Sequence, residues 1–318
     1  MPQNSSSRSG CISKLFFGCS ALFLIFFAMV IIIILTVELP EIDFSIDTEK
    51  KQYEIETDSL TNEKIINASF SWRFVDNNLR KRRYDLTFKL LERDVKEAIT
   101  YTDKVAKMSY DDLGVNIDYP DPEVEARIVW AEVYRRIYLQ AIPGMKSILE
   151  GFNKIFVTEK FNSRDKVYFV ISFVQNIPYE RPGGTLDLLP PLGTLAKEYG
   201  DCDSKALLLY AILERMGVDC AMLWSYYYKH AMLGVNISGS GYYKSIEGKR
   251  YYFLETTYPG WNIGDVPPEF DNTRYWFVEE IDSEEWMNLE EEYFQSDEED
   301  VEIPDGNIKP SPSKPEED

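Results

Sequence analysis

Two periods alternate along this chain, and they predict its elements before any chemistry is considered. In FSWRFVDNNLRKRRYDLTFKL, Phe70, Trp72 and Phe74 recur every second residue, as do Tyr84, Leu86, Phe88 and Leu90. A period of two with Asp76-Asn77-Asn78 between the runs predicts a β-hairpin with a loop longer than two residues. The basic run Arg80-Lys81-Arg82-Arg83 beside that loop reads as a solvated turn. Asp121-Pro122-Glu123 then carries the marks of a helix start: a capping aspartate, proline in the first turn and an early acid. Val124, Ile128, Val129, Val133 and Ile137 continue it as an apolar stripe, which Pro143-Gly144 is expected to interrupt.

A second helical stripe runs from Ser163 through Val167, Val170, Phe173 and Val174 towards Ile177-Pro178, and residues 183–193, GGTLDLLPPLG, read as a loop. A third starts at Cys202 and carries Ala206, Leu207, Leu209, Tyr210, Leu213 and Met216 up to Gly217. Beyond it the period falls back to two over residues 220–226, 230–237, 241–246 and 251–256, with Ser238-Gly239-Ser240 and Glu247-Gly248-Lys249 as turns. The order of elements predicts an α+β fold, with helices segregated onto an antiparallel sheet.

One stretch belongs to neither pattern. Residues 15–37 are apolar and uncharged, long enough to cross a bilayer as a helix. Arg8 and Lys14 precede the run; Glu38, Glu41, Asp43 and Asp47 follow it. That asymmetry predicts an uncleaved signal anchor in the cell membrane: residues 1–14 cytoplasmic, the remainder outside. Residues 38–65 read as a charged spacer with weak strands at most, 66–100 as a β-rich region, and 101–295 as the main domain with a helical lead-in. Residues 296–318 read as an acidic disordered tail, ahead of which Trp286, Met287, Leu289, Tyr293 and Phe294 could dock one short helix. The formal charge of −20 argues against a nucleic-acid partner, which needs a basic footprint.

Four cysteines and one histidine limit the chemistry. A multi-histidine metal site is excluded, and no metal or cofactor is expected. Cys202 and Cys220 stand at opposite ends of the third helix, roughly 20 Å apart at 1.5 Å per residue, too far for a disulfide. Cys202 sits where a helix start favours a thiolate, with Asp201 and Asp203 opposing that effect. His230, at the head of a strand, is the imidazole available to activate it. Glu255 lies on the next strongly apolar strand, where a carboxylate needs a partner; His230 could be that partner and be oriented by it.

The stretches GDCDSKALLLYAILERMGVDCAML, HAMLGVNI and YYFLETTYPGWNIGD, in this order, resemble the core of the transglutaminase-like, or transglutaminase/protease, superfamily, of the prokaryotic membrane-anchored type. VISFVQNIPYE and PLGTL extend the likeness upstream, and FSWRF with YDLTFKL resembles a β-region found before that core. The core likeness covers roughly residues 166–267. The resemblance implies a papain-like fold, with Cys202 as nucleophile, His230 as base, Glu255 as third member and Gln175 as a donor to the oxyanion. Two positions depart from the commoner pattern: Glu255 stands where aspartate is frequent, and Met232 where tryptophan often follows His-Ala. Both departures occur in a bacterial-type and archaeal-type subset.

The expected function is therefore acyl transfer through a thioester, by a membrane-anchored enzyme acting on protein or peptide at the cell envelope. Hydrolysis, as by a protease, peptidase or amidase, is the first expectation. Glutamine crosslinking and a non-catalytic binding or scaffold module are the alternatives.

Overall fold

The computed structural model describes residues 49–56, 63–115 and 121–281. The expected anchor at 15–37, the docking helix around Trp286 and the tail at 296–318 lie outside the described residues. Among the described residues no helix is long and apolar enough to cross a membrane. All of them fall within one compact unit.

The chain is α+β, built on two sheets. The first contains β1 (Lys50–Glu56), β2 (Ile65–Val75) and β3 (Lys81–Leu91), in the order β1-β3-β2. The hairpin forms as its alternation requires, with Trp72 opposite Tyr84 and Phe70 opposite Leu86. Asp76 closes its loop by accepting from the N–H groups of Asn78 and Arg80 at 2.9 and 3.0 Å. The basic run is paired locally: Arg80 with Asp76, Arg82 with Glu49 and Glu159, Arg83 with Asp85. β1 falls inside the expected spacer. Its Tyr53 and Ile55 alternate weakly among charges, and it gains its place by pairing parallel to β3.

The division expected at residue 100 passes through a helix, α1 (Glu92–Val105), and one apolar core continues across it from Ile55 to Ile281. After the short α2 (Tyr110–Leu113), α3 runs unbroken over Pro122–Glu159, capped by the Asp121 side chain on the Glu123 N–H at 2.9 Å. The interruption expected at Pro143-Gly144 does not occur. Proline costs a helix about 3 kcal/mol, and buried Ala141, Met145, Ile148 and Phe152 on both sides of it supply packing that offsets this. α4 (Ser163–Gln175) follows, then α5 (Pro191–Lys197), a short helix in part of the segment expected as loop.

α6 (Cys202–Arg215) is the centre of the molecule. Its residues from Ser204 to Leu213 are buried on every face, between the second sheet and helices α3, α4 and α5. Gly217, in the left-handed region at φ 77, ends it. The second sheet is antiparallel, in the order β6-β7-β5-β4-β8, from β4 (Cys220–Ser225), β5 (His230–Val235), β6 (Tyr243–Ile246), β7 (Lys249–Leu254) and β8 (Phe277–Glu279). One face packs on α6; the other buries Leu223, Met232, Tyr251 and Phe253 against Trp276 and Val278.

Candidate active site

The fold brings Cys202, His230 and Glu255 to one end of the second sheet. Cys202 is the first residue of α6. Asp201 precedes it as the cap, its Oδ1 accepting from Ser204 N at 3.0 Å and from Ser204 Oγ at 2.6 Å. Ser204 Oγ in turn accepts from Leu189 N at 2.8 Å, which ties the helix start to the loop before α5. Gly200 permits the tight entry: a β-carbon there would stand 2.9 Å from the Ser204 side chain.

His230 opens β5, and its Nε2 lies 2.8 Å from Glu255 Oε2. Glu255 follows β7 and is 1% exposed. Its other oxygen accepts from Thr257 N at 2.8 Å and Thr257 Oγ1 at 2.6 Å. Burial pulls the Glu255 carboxyl upwards, but the hydrogen bonds and charge from His230, with those from Thr257, outweigh it and hold the group below its ordinary range. Nε2 being committed to Glu255, Nδ1 is the ring nitrogen left to exchange a proton with another group. Phe270 stacks on the imidazole at 4.5 Å between centroids and Trp276 meets it edge-on at 6.1 Å. Trp276 Nε1 donates to Phe270 O at 2.9 Å, so the two aromatic covers are fixed to each other.

The thiol departs from expectation. Burial, then the charges of Asp203 and Asp201, push the Cys202 thiol well above the usual range, against the Ala231 main-chain N–H, which favours the thiolate. Sγ donates to Asp203 Oδ2 at 3.2 Å, and Asp203 also receives the Tyr134 hydroxyl. Desolvation and two carboxylates thus oppose the helix-start effect and favour the protonated thiol. Asp201 is itself raised to about 6 by burial and by Asp203, with Ser204 opposing. Cys202 and Cys220 are both free and buried, as their separation along α6 predicts. Asp201, Cys202 and Asp203 hold their ligand atoms within 4.8 Å of one another. Two of the three are already engaged by Ser204 and Tyr134, so the cluster reads as a hydrogen-bonded helix cap.

Gln175 sits at the site but not in the expected role. Both hydrogens of its amide are taken, by Glu255 O at 2.8 Å and Trp261 O at 2.9 Å. No hydrogen is left to donate to an oxyanion; the amide instead staples the end of α4 to the segment that follows β7. With Ser204 N held by Asp201, the N–H groups of Cys202 and Asp203, which have no acceptor within the helix, are the first-turn donors at this end of α6.

Sequence reasoning missed Thr257, Phe270 and Lys205. Lys205 is 0% exposed, and its Nζ donates to three carbonyls: Gln175 O at 3.2 Å, Ile177 O at 2.7 Å and Thr257 O at 2.8 Å. A signal was present. Helical spacing puts Lys205 on the same face as Cys202, Leu209 and Ile212, where a lysine has no route to water. Compared with protein-family models, with curated proteins and with solved structures, the chain matches none.

Proposed function

We propose that this protein is a cysteine acyl-transfer enzyme of papain-like, transglutaminase-like type, with Cys202 as nucleophile, His230 as general base and Glu255 as the group that orients the imidazole. The 2.8 Å bond between His230 Nε2 and buried Glu255 carries this reading, because it leaves Nδ1 for the thiol proton next to the strand start whose Ala231 N–H acts on Cys202. The upward push on the thiol and its contact with Asp203 favour activation during attack over a standing ion pair. Its proton passes to His230 Nδ1 as Sγ bonds to the amide carbonyl carbon, and the carbonyl oxygen becomes an oxyanion near the first-turn N–H groups of α6. Collapse expels the amine, which takes the proton from His230, and leaves a thioester. Water, losing a proton to His230, then releases the acid and restores the thiol.

Hydrolysis of protein or peptide at the cell envelope is the proposed outcome, by a domain held outside the cytoplasm on an anchor at residues 15–37. A binding module is the second reading, and Cys202 Sγ turned to Asp203 Oδ2 is the observation that favours it.

Alkylation of the full-length chain separates the two. Cys202 is expected to react with iodoacetamide faster than Cys220 near neutral pH, and His230→Ala to slow Cys202 by about 10²-fold. Equal rates at the two cysteines, with no effect of His230→Ala, would leave the binding module. Peptide substrates with and without a primary amine then sort the chemistry: new N-termini mean hydrolysis, amine incorporation at glutamine means transfer.

A further inference from the structure

A lysine with no exposed surface and no carboxylate on its ammonium is costly to keep. Here the three donors of the Lys205 ammonium meet three main-chain carbonyls, so the group is satisfied only while charged and only while those carbonyls stay in place. They belong to two segments. Gln175 ends α4 and Ile177 lies two residues past it; Thr257 lies two residues past Glu255. Both segments also hold Glu255: Thr257 through its N–H and hydroxyl, Gln175 through its amide on the Glu255 carbonyl. Lys205, three residues beyond the nucleophile, is therefore joined to the carboxylate of the site by two short routes.

We propose that Lys205 is a positioning residue of this site: its ammonium ties the Glu255 segment to the nucleophile helix and, as a second cation for Glu255, keeps that carboxylate charged while His230 is unprotonated. The inference rests on the acyl-transfer reading and adds a requirement to it. A base must be neutral to take a proton, and a neutral His230 leaves Glu255 buried with neutral donors, the His230 Nε2–H and Thr257, but no charge from the imidazole. Lys205 supplies the missing charge without supplying a proton to the thiol. Burial pushes the Lys205 ammonium down to about 7, and Glu255 is the charge that resists this. Of the neighbouring titratable groups, Cys202 and Asp203 share its helix, Asp201 caps that helix, Tyr134 on α3 reaches Asp203, and His230 on β5 reaches Glu255. The α4 end offers only Gln175 and carbonyls.

The test is the pH dependence of Cys202 alkylation in the full-length chain. Lys205→Gln keeps two donors and loses the charge; Lys205→Met loses both. With the charge gone, protons bind the His230–Glu255 pair more readily. The acid limb of the profile is expected to move to higher pH by about one unit in both variants. The plateau is expected to fall about tenfold further in Lys205→Met than in Lys205→Gln. The shift is expected to vanish when Lys205→Gln is combined with Glu255→Gln. An unmoved acid limb in folded Lys205→Gln, with wild-type alkylation still dependent on His230, overturns the role of Lys205 and leaves the enzyme reading standing. A wild type whose alkylation ignores His230 overturns both. If the variants do not fold, lysine-selective 15N NMR of the wild type decides. A Lys205 ammonium resonance that shifts with the acid limb supports the proposal, and one indifferent to that step ends it.

Discussion

Two buried regions of this molecule treat charge differently. Against the first sheet, Phe88 packs on Phe70, Phe152 and Phe173 with ring centroids 5.6–6.1 Å apart, and Trp72 on Phe169 and Phe173 at 5.1 and 5.2 Å. Two of the acids buried there meet an arginine directly, Asp76 with Arg80 and Glu159 with Arg82 at 3.1 Å, whereas Asp165 accepts from the Asn77 N–H at 2.8 Å. Beside the second sheet, Asp201 is answered by a serine and Lys205 by carbonyls, while Glu255 has a histidine whose charge comes and goes with its proton. Buried charge with neutral partners is a poor way to gain stability. Asp201, Lys205 and Glu255 gather it around Cys202, and that is where the fold carries the larger stability cost.

That contrast can be broken from either side. The largest effect belongs to the aromatic region. Phe88→Ala should cost about 3–5 kcal/mol in urea unfolding, since the ring is fully buried among others. Alkylation of Cys202 in the folded fraction should stay at the wild-type rate. A slowed Cys202 would show that the two regions are coupled.

The next effect tests a half-buried acid near the far end of α6. Burial, with Asp219 and Glu280, raises Glu214 to about 7, against Cys220 N and Lys249. The unfolded chain loses this proton around the ordinary 4.5. Between those values the folded state holds more protons, so stability falls as pH rises through the window. Glu214→Gln, whose amide oxygen can still accept from Cys220 N, should therefore be roughly 1–2 kcal/mol more stable than wild type at pH 8. The difference should be absent at pH 4. Paired melts at the two pH values check it.

The smallest effect lies on the outward face of the first sheet. Arg83→Ala removes an exposed ion pair with Asp85 and should change stability by less than about 0.5 kcal/mol. A larger loss would mean that surface charge, and not the ring cluster, supports this sheet.

The hairpin and the Cys202 helix were legible because one physical signal ruled each: strict alternation in the first, an apolar stripe stopped by Gly217 in the second. Elements decided by packing were not. Pro143 reads as a break, yet the apolar residues on both sides of it keep α3 continuous. PPLG reads as a loop, yet Pro191 can begin a helix because the first turn needs no N–H from it. The residues of the site were legible as types and positions, whereas their electrostatics were not. Helix starts favour thiolates in general, but the burial of Cys202 and the proximity of Asp203 are tertiary facts. Gln175 was expected as an oxyanion donor, and only its hydrogen-bond partners reveal that its amide binds main chain.

The aromatic cover of His230 has a consequence for the order in which the protein is made. Phe270 and Trp276 come after every other residue of the site, and β8, which pairs with β4, comes later still. A chain emerging from the ribosome presents Cys202, then His230, then Glu255, and only after them the two rings that close over the imidazole. The nascent chain therefore exposes these three side chains before their cover, and that cover is complete only when the last strand has followed.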